Sequence, residues 1–195
     1  MAVARTMICA SLALAGSIAL IPAASTVYPV STGTVEYYPM LGVIQMPVGD
    51  TIQSTCSQTT STNLSWRRGF IEFVAPIIRG NGGKRATLVI QDQGGTYAPP
   101  VPPVVHRVLY YPADLAVGNG DFNAAAIEWA TFETDPNENP KTYRIDITSL
   151  IREFAGQPIG FRIQMAVDPD GLCPFPGGTG FGSFSNNPPF IEVRK

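Results

Sequence analysis

The chain has 195 residues, 45% of them hydrophobic and 14% charged, with a formal net charge of −2, 19 glycines and 18 prolines. That length fits one domain with a short extension, and the glycine and proline content suits many short strands joined by turns. The charge balance argues against nucleic-acid binding, which needs a cationic surface, and it removes an electrostatic route to anionic membranes.

Residues 1–25 read as a signal peptide. Arg5 supplies the positive start, Met7 to Ile21 is uncharged and apolar or small, and Pro22-Ala23-Ala24-Ser25 offers small residues to a signal peptidase. The apolar run falls short of the ~20 residues that a membrane span requires. Cleavage is expected after Ser25, which leaves one domain over 26–195 in a secreted or cell-surface location. Leu14-Ala15-Gly16-Ser17 has serine where a lipidated cysteine would stand, so lipoprotein anchoring is not expected by that route. Cys9 leaves with the signal, and Cys56 and Cys173 remain. In an oxidising compartment the two are expected to pair, the alternatives being buried free thiols or an intermolecular bond. Such a bridge would stabilise the fold by up to ~4–5 kcal/mol through chain entropy.

Thr34-Val-Glu-Tyr-Tyr38 and Gly42-Val-Ile-Gln-Met46 predict two first strands, stopped by Pro39 and Pro47. Asp50 to Cys56 continues in alternation, and the Ser/Thr/Gln/Asn tract over 57–65 reads as an exposed loop. It contains Asn63-Leu64-Ser65, a glycosylation sequon in a eukaryote. Arg67 to Phe73 is a strand opened by Gly69 and closed by Pro76, with Ile71 and Phe73 on one face and Glu72 on the other. Arg85 to Gln91 is rich in β-branched residues and predicts another strand. Pro99 to Pro103 is a stiff extended connection. Val104 to Tyr111, Ala124 to Thr134, Thr142 to Ile147 and Ile159 to Val167 follow as strands, with 168–180 as a long loop. A short helix is expected near 149–155, with Ser149 as its cap and Gly156 as its stop. Phe181 to Phe184 and Phe190 to Arg194 close the chain as strands. About ten short strands separated by turn signals predict an all-β fold, an antiparallel β-sandwich of jelly-roll type.

Three groups of segments resemble a known family. Arg68-Gly-Phe-Ile-Glu-Phe73 followed by Arg85-Ala-Thr-Leu-Val-Ile90 is similar to a paired-strand pattern of DNRLRE-type domains. Thr142-Tyr-Arg-Ile-Asp-Ile-Thr148 resembles that family's segment before its short helix. Gly160-Phe-Arg-Ile163 and Pro188-Pro-Phe-Ile-Glu-Val193 resemble its closing strands. The resemblance spans roughly 34–194 and implies a secreted or surface-exposed β-sandwich akin to carbohydrate-binding modules. No Asn-Arg-Leu-Arg-Glu string is present.

The residues suggest binding rather than catalysis. His106, the single histidine, sits in a strand pattern and is expected to face solvent, and no Gly-x-Ser-x-Gly elbow accompanies it. Glu72, Asp92, Asp114, Glu128, Glu133 and Asp146 are carboxylates of the type a glycosidase pairs, but most alternate with apolar residues as solvent-face residues do. Asn119-Gly-Asp121-Phe-Asn123 and Asp168-Pro-Asp170-Gly171 space oxygen side chains as a loop wrapping calcium would, and as ordinary turns also do. Asp121, Asp168 and Asp170 are thus the metal candidates, and no other cofactor is implied. Gly177 to Gly182 lacks the lysine and helix of a phosphate-binding loop. Flat rings stack on sugars, and Trp66, Tyr38 and Tyr111 are the candidate contacts: Trp66 because it lies in a polar stretch, the tyrosines because adjacent pairs put one ring on each face. The expected function is non-catalytic binding of polysaccharide or another extracellular surface. The alternative is a structural or adhesive protein that self-associates or assembles with a partner chain.

Overall fold

The computed structural model describes residues 24–45, 51–58, 64–78, 83–93, 103–135, 140–168, 173, 177–183 and 187–195. Residues 1–23, the sequon asparagine at 63 and Asp170 lie outside these. In chain order the first strands are β1 (Ser25–Val27), β2 (Ser31–Tyr38), β3 (Val43–Gln45), β4 (Thr51–Gln58), β5 (Leu64–Val74), β6 (Arg85–Gln91) and β7 (Val104–Tyr111). A 3-10 helix (Asn119–Asn123) precedes β8 (Ile127–Thr134), β9 (Thr142–Asp146) and helix α1 (Thr148–Glu153). The chain ends with β10 (Pro158–Met165), β11 (Gly177–Ser183) and β12 (Phe190–Arg194).

These strands form two packed antiparallel sheets, an all-β sandwich with one short α-helix. The smaller sheet has the order β1-β12-β6-β9, and the larger runs β11-β4-β5-β10-β7-β8, with β2 joined to β5 and β3 to β2. Strand β5 organises the larger sheet. It pairs with β4 over Leu64 to Arg67, with β10 over Gly69 to Val74, and with β2 over Trp66 to Glu72. The main core fills the space between the sheets, with Ile71 and Phe73 from β5 meeting Leu88 and Ile90 from β6, Ile163 from β10 and Ile191 from β12. Leu150 and Ile151 of α1 close one end of it.

A second core lies on the opposite face of the larger sheet. Val35, Trp66, Phe70, Tyr111 and Met165 pack there with Phe122 from the 3-10 helix and the cysteine pair. The central strands β5, β10 and β7 are therefore covered on both faces, and seven of the eight residues of β10 are buried. The predicted sandwich had a wet outer face here. The connection from Tyr111 to Ile127 folds back over that face instead, with Phe122 as its plug.

Two local expectations also change. The tract over 57–65 is not simply a loop: β4 runs to Gln58, β5 begins at Leu64, and Ser65 is buried beside Trp66. Ser149 does not cap α1, because the helix starts one residue earlier at Thr148. The Thr148 amide donates to Asp146 Oδ1 at 2.9 Å, and Thr148 Oγ1 accepts from the Ala86 amide at 2.9 Å, which ties the helix start to β6.

At the open edge of the sandwich, β8 and β9 belong to different sheets. The Trp129 indole donates to the Asp146 carbonyl at 2.9 Å, and the Phe132 and Tyr143 rings lie 4.4 Å apart. Both contacts bridge the two edge strands.

Gly160 faces the second core, and a Cβ there would overlap the ring of Tyr111. That ring cannot swing aside, being fully buried with its hydroxyl bonded to Glu72. Gly160→Ala is expected to destabilise the protein by about 1–3 kcal/mol, as overpacking of a filled core does, in denaturant unfolding.

Candidate functional site

The alternation of β5 and β10 sends Arg68, Glu72, Arg162 and Gln164 into the second core, and there they bond to Asp168, Tyr111 and backbone carbonyls. Arg68 grips Asp168 with two bonds, Nε to Oδ2 at 2.8 Å and Nη2 to Oδ1 at 3.0 Å. Its Nη1 donates to the Phe122 carbonyl, and its guanidinium carbon stands 3.8 Å above the Phe122 ring. Arg162 Nη1 donates to the carbonyls of Phe122 and Ala124, each at 3.1 Å. Burial, and then the neighbouring Arg68 charge, lowers the Arg162 guanidinium to about 10. Tyr111 donates to Glu72 Oε1 at 2.7 Å, and burial is the main cause that raises both groups above their ordinary values. These side chains hold the covering segment onto the sheet. All four are buried, and their polar groups are turned mainly to these structural contacts.

Several candidate residues from the sequence lie in this dry region. Trp66 is only 1% exposed and packs inside the second core, so it offers no ring to a sugar. It pairs in register with Cys56 on β4 and Tyr37 on β2. Tyr111 is buried, and so is its neighbour Tyr110, because both faces of β7 are covered. Tyr38 is half-buried at the end of β2, where its hydroxyl accepts from Gln45 at 3.4 Å. Cys56 and Cys173 form a disulfide, with Cα atoms 5.8 Å apart.

Of the metal candidates, Asp168 is committed to Arg68, and Asp121 Oδ2 accepts the Gly118 amide at 2.7 Å, closing the turn that starts the 3-10 helix. Among the described residues no three His, Cys, Asp or Glu side chains converge as metal ligands would.

His106, expected to face solvent, is fully buried. Its Nδ1 lies 2.9 Å from Ser54 Oγ and its Nε2 lies 3.0 Å from Thr134 Oγ1. The ring stacks on Phe132 at 5.3 Å, and burial lowers its pKa to about 3. A serine beside a histidine invites a catalytic reading, but no solvent reaches this pair.

An accessible site lies on the outer face of the smaller sheet, and the strand register assembles it. Phe190, Val89 and Arg144 stand abreast on β12, β6 and β9. One step along, Thr26, Glu192, Thr87 and Asp146 form the next row, and Arg194 faces Arg85 in the row beyond. Tyr28, just past β1, is 60% exposed, and its ring lies 6.2 Å from that of Phe190. A trough of about 310 Å³ opens there, with Val89 as its floor, the two rings on one side, and Gln91, Thr142, Arg144 and Asn187 along the rim. Asn187 has φ of 49°, a left-handed turn that asparagine tolerates and that delivers Pro188 to the wall. A neighbouring hollow of about 430 Å³ shares Arg144 and runs on to Arg85 and Arg194. Sequence reading passed over Tyr28, Phe190 and Arg144, since each lies in or beside a short strand whose outward face only the pairing reveals.

A further depression lies between the β2–β3 hairpin and the 3-10 helix. Its two rings, Tyr37 and Phe122, pack on each other at 5.3 Å.

No family model matches the chain, and no curated protein matches it. One solved structure, of a Stig cyclase from Fischerella sp. TAU in complex with (3Z)-3-(1-methyl-2-pyrrolidinylidene)-3H-indole, aligns over 83% of this chain and 85% of its own at 14% identity, with a TM-score of 0.30. Similarity at that level carries no functional argument. Among the described residues no helix is long and apolar enough to cross a membrane.

Two predictions follow from the buried groups. Asp168→Asn leaves the Arg68 charge uncompensated in a dry setting and is expected to destabilise the fold by about 3–5 kcal/mol in chemical denaturation. His106 is held neutral when folded, so its contribution to stability is complete above its ordinary value of 6.5 and is lost as pH falls through the folded value of about 3. Stability measured from pH 7 down to pH 3 should therefore fall less steeply in His106→Gln than in the parent.

Proposed function

We propose that this protein is a secreted or surface-located, non-catalytic binding domain that takes polysaccharide on the outer face of its smaller sheet. The observation that carries the reading is the pairing of exposed Tyr28 with Phe190 beside a trough rimmed by polar side chains. Neither the exposed Tyr28 nor the half-buried Phe190 belongs to either hydrophobic core, and their flat apolar faces complement the C–H face of a pyranose. Gln91, Thr142, Arg144 and Asn187 supply donors and acceptors for hydroxyl groups at the rim. The volume falls at the lower end of the range for small-molecule sites, which suits a few sugar units of a longer chain.

A non-catalytic role is favoured by the engagement of Glu72, His106 and Asp168 in buried structural contacts. The disulfide, together with the expected signal peptide, favours an oxidising, extracytoplasmic setting. The resemblance to DNRLRE-type domains points the same way.

A second reading, self-association, is favoured by Met40 and Leu41, which stand 64% and 72% exposed at the tip of the β2–β3 hairpin. Light scattering across a wide concentration range distinguishes it: Leu41→Asp should abolish any association that the parent shows.

The glycan reading is tested by retention on a panel of soluble and insoluble polysaccharides. The parent is expected to bind at least one polymer, and Tyr28→Ala with Phe190→Ala is expected to lose at least tenfold in affinity, at ~1–3 kcal/mol for each stacking ring. Unchanged retention in the double variant would remove the site from consideration.

A further inference from the structure

The charged end of the same outer face carries an arrangement that folding alone does not explain. Arg85 on β6 and Arg194 on β12 are directly opposite in register, and both are exposed. Like charges in that position repel and destabilise a sheet. Arg144 stands on the far side of Glu192, and it too lines the hollow.

The carboxylates present do not cancel these three guanidiniums. Glu192 accepts from Arg144 at 2.8 Å and from Arg194 at 2.7 Å, yet its side chain is only 11% exposed while theirs are 49% and 61% exposed. Glu192 therefore lies at the base and splays the two arginines outward. Burial would raise its carboxyl, but the bonds from Arg194 and Arg144 outweigh that and hold it below its ordinary value. Asp146 accepts the Thr148 amide at the start of α1, and the Arg85 charge acts on it without forming an ion pair. Arg85 has no ion-pair partner among the described residues.

We infer that the ligand of this face is an acidic polysaccharide, whose carboxylate or sulfate group sits between Arg85 and Arg194 while a sugar ring further along the same polymer stacks on Tyr28 beside Phe190. The inference rests on the glycan reading above and narrows its ligand class. An anion bridging two guanidiniums relieves their repulsion and receives charge-assisted, forked hydrogen bonds. The register supplies the spacing: Phe190 and Arg194 are four residues apart on one strand, about 14 Å. A polymer chain laid along β12 thus meets the ring and the guanidiniums in turn. Long-range attraction cannot substitute for this local fit, because the chain's net charge of −2 repels a polyanion.

The test is affinity electrophoresis of the purified protein in native gels containing polygalacturonate, dextran sulfate or neutral dextran. The parent, R85Q/R194Q and Y28A are run side by side, with melting temperatures confirming that each variant is folded. The expected result is retardation by at least one of the two acidic polymers, weakened about tenfold in R85Q/R194Q. Retardation by polygalacturonate identifies a carboxylate ligand, and by dextran sulfate a sulfate ligand. Equal or stronger retardation by the neutral polymer, lost in Y28A, would overturn the acidic assignment and leave the glycan reading standing. Acidic retardation unchanged in R85Q/R194Q would overturn the assignment as well. If no polymer, acidic or neutral, retards the parent, the glycan reading itself falls.

Discussion

The structure depends on keeping both faces of β5, β7 and β10 dry. An ordinary two-layer sandwich buries one face of each sheet and wets the other. Here the segment between β7 and β8 folds back across the far side of the larger sheet, and Phe122 fills the space above Phe70 and Tyr111. Arg68 is what holds it. One guanidinium bonds the Phe122 carbonyl, covers the Phe122 ring and grips Asp168 at the end of β10. A buried ion pair adds little net stability over an apolar substitute. Its effect here is geometric, because it fixes which backbone lies over the sheet.

That arrangement determines which surfaces remain for recognition. The larger sheet has no open central face, so the rings and charges on its middle strands serve packing. The smaller sheet is covered on one side only. Its outer rows carry Tyr28, Phe190, Arg144, Arg85 and Arg194, residues that contribute nothing to the main core and whose exposure folding does not require. A surface of rings at one end and guanidiniums at the other is organised for a ligand that offers both apolar ring faces and anionic groups.

Strand identity was largely legible in the sequence because alternation and turn residues encode it locally. Val104–Tyr111, Arg85–Gln91 and Phe190–Arg194 coincide with β7, β6 and β12. Facing was harder to read. Alternation shows that Glu72 opposes Phe73, but not whether the opposite side meets water or packed side chains, and at His106, Tyr111 and Trp66 the structure differs from the sequence expectation on that point. The burial of Tyr111 and Trp66 follows from the path of a long, glycine-bearing connection, a non-local fact without periodic signal, while His106 is buried against Ser54 of β4 and Phe132 and Thr134 of β8. The Trp66 error compounded this: the Ser/Thr-rich stretch before it lowered the local hydropathy, although Ser65 and Trp66 were already inside β5. The outer-face site was hidden for a different reason. Its members come from strands distant in sequence, and only the register β1-β12-β6-β9 sets Phe190 beside Val89 and Arg144.

The central claim is that recognition occurs on the outer face of the smaller sheet and not on the covered face of the larger one. Amide chemical-shift mapping during titration with an acidic oligosaccharide tests this directly. Perturbations are predicted to concentrate at residues 28, 85–91, 142–146 and 190–194, with those over 119–124 unmoved. Perturbations centred on the 3-10 helix and the β2–β3 hairpin, with the smaller sheet silent, would contradict the assignment.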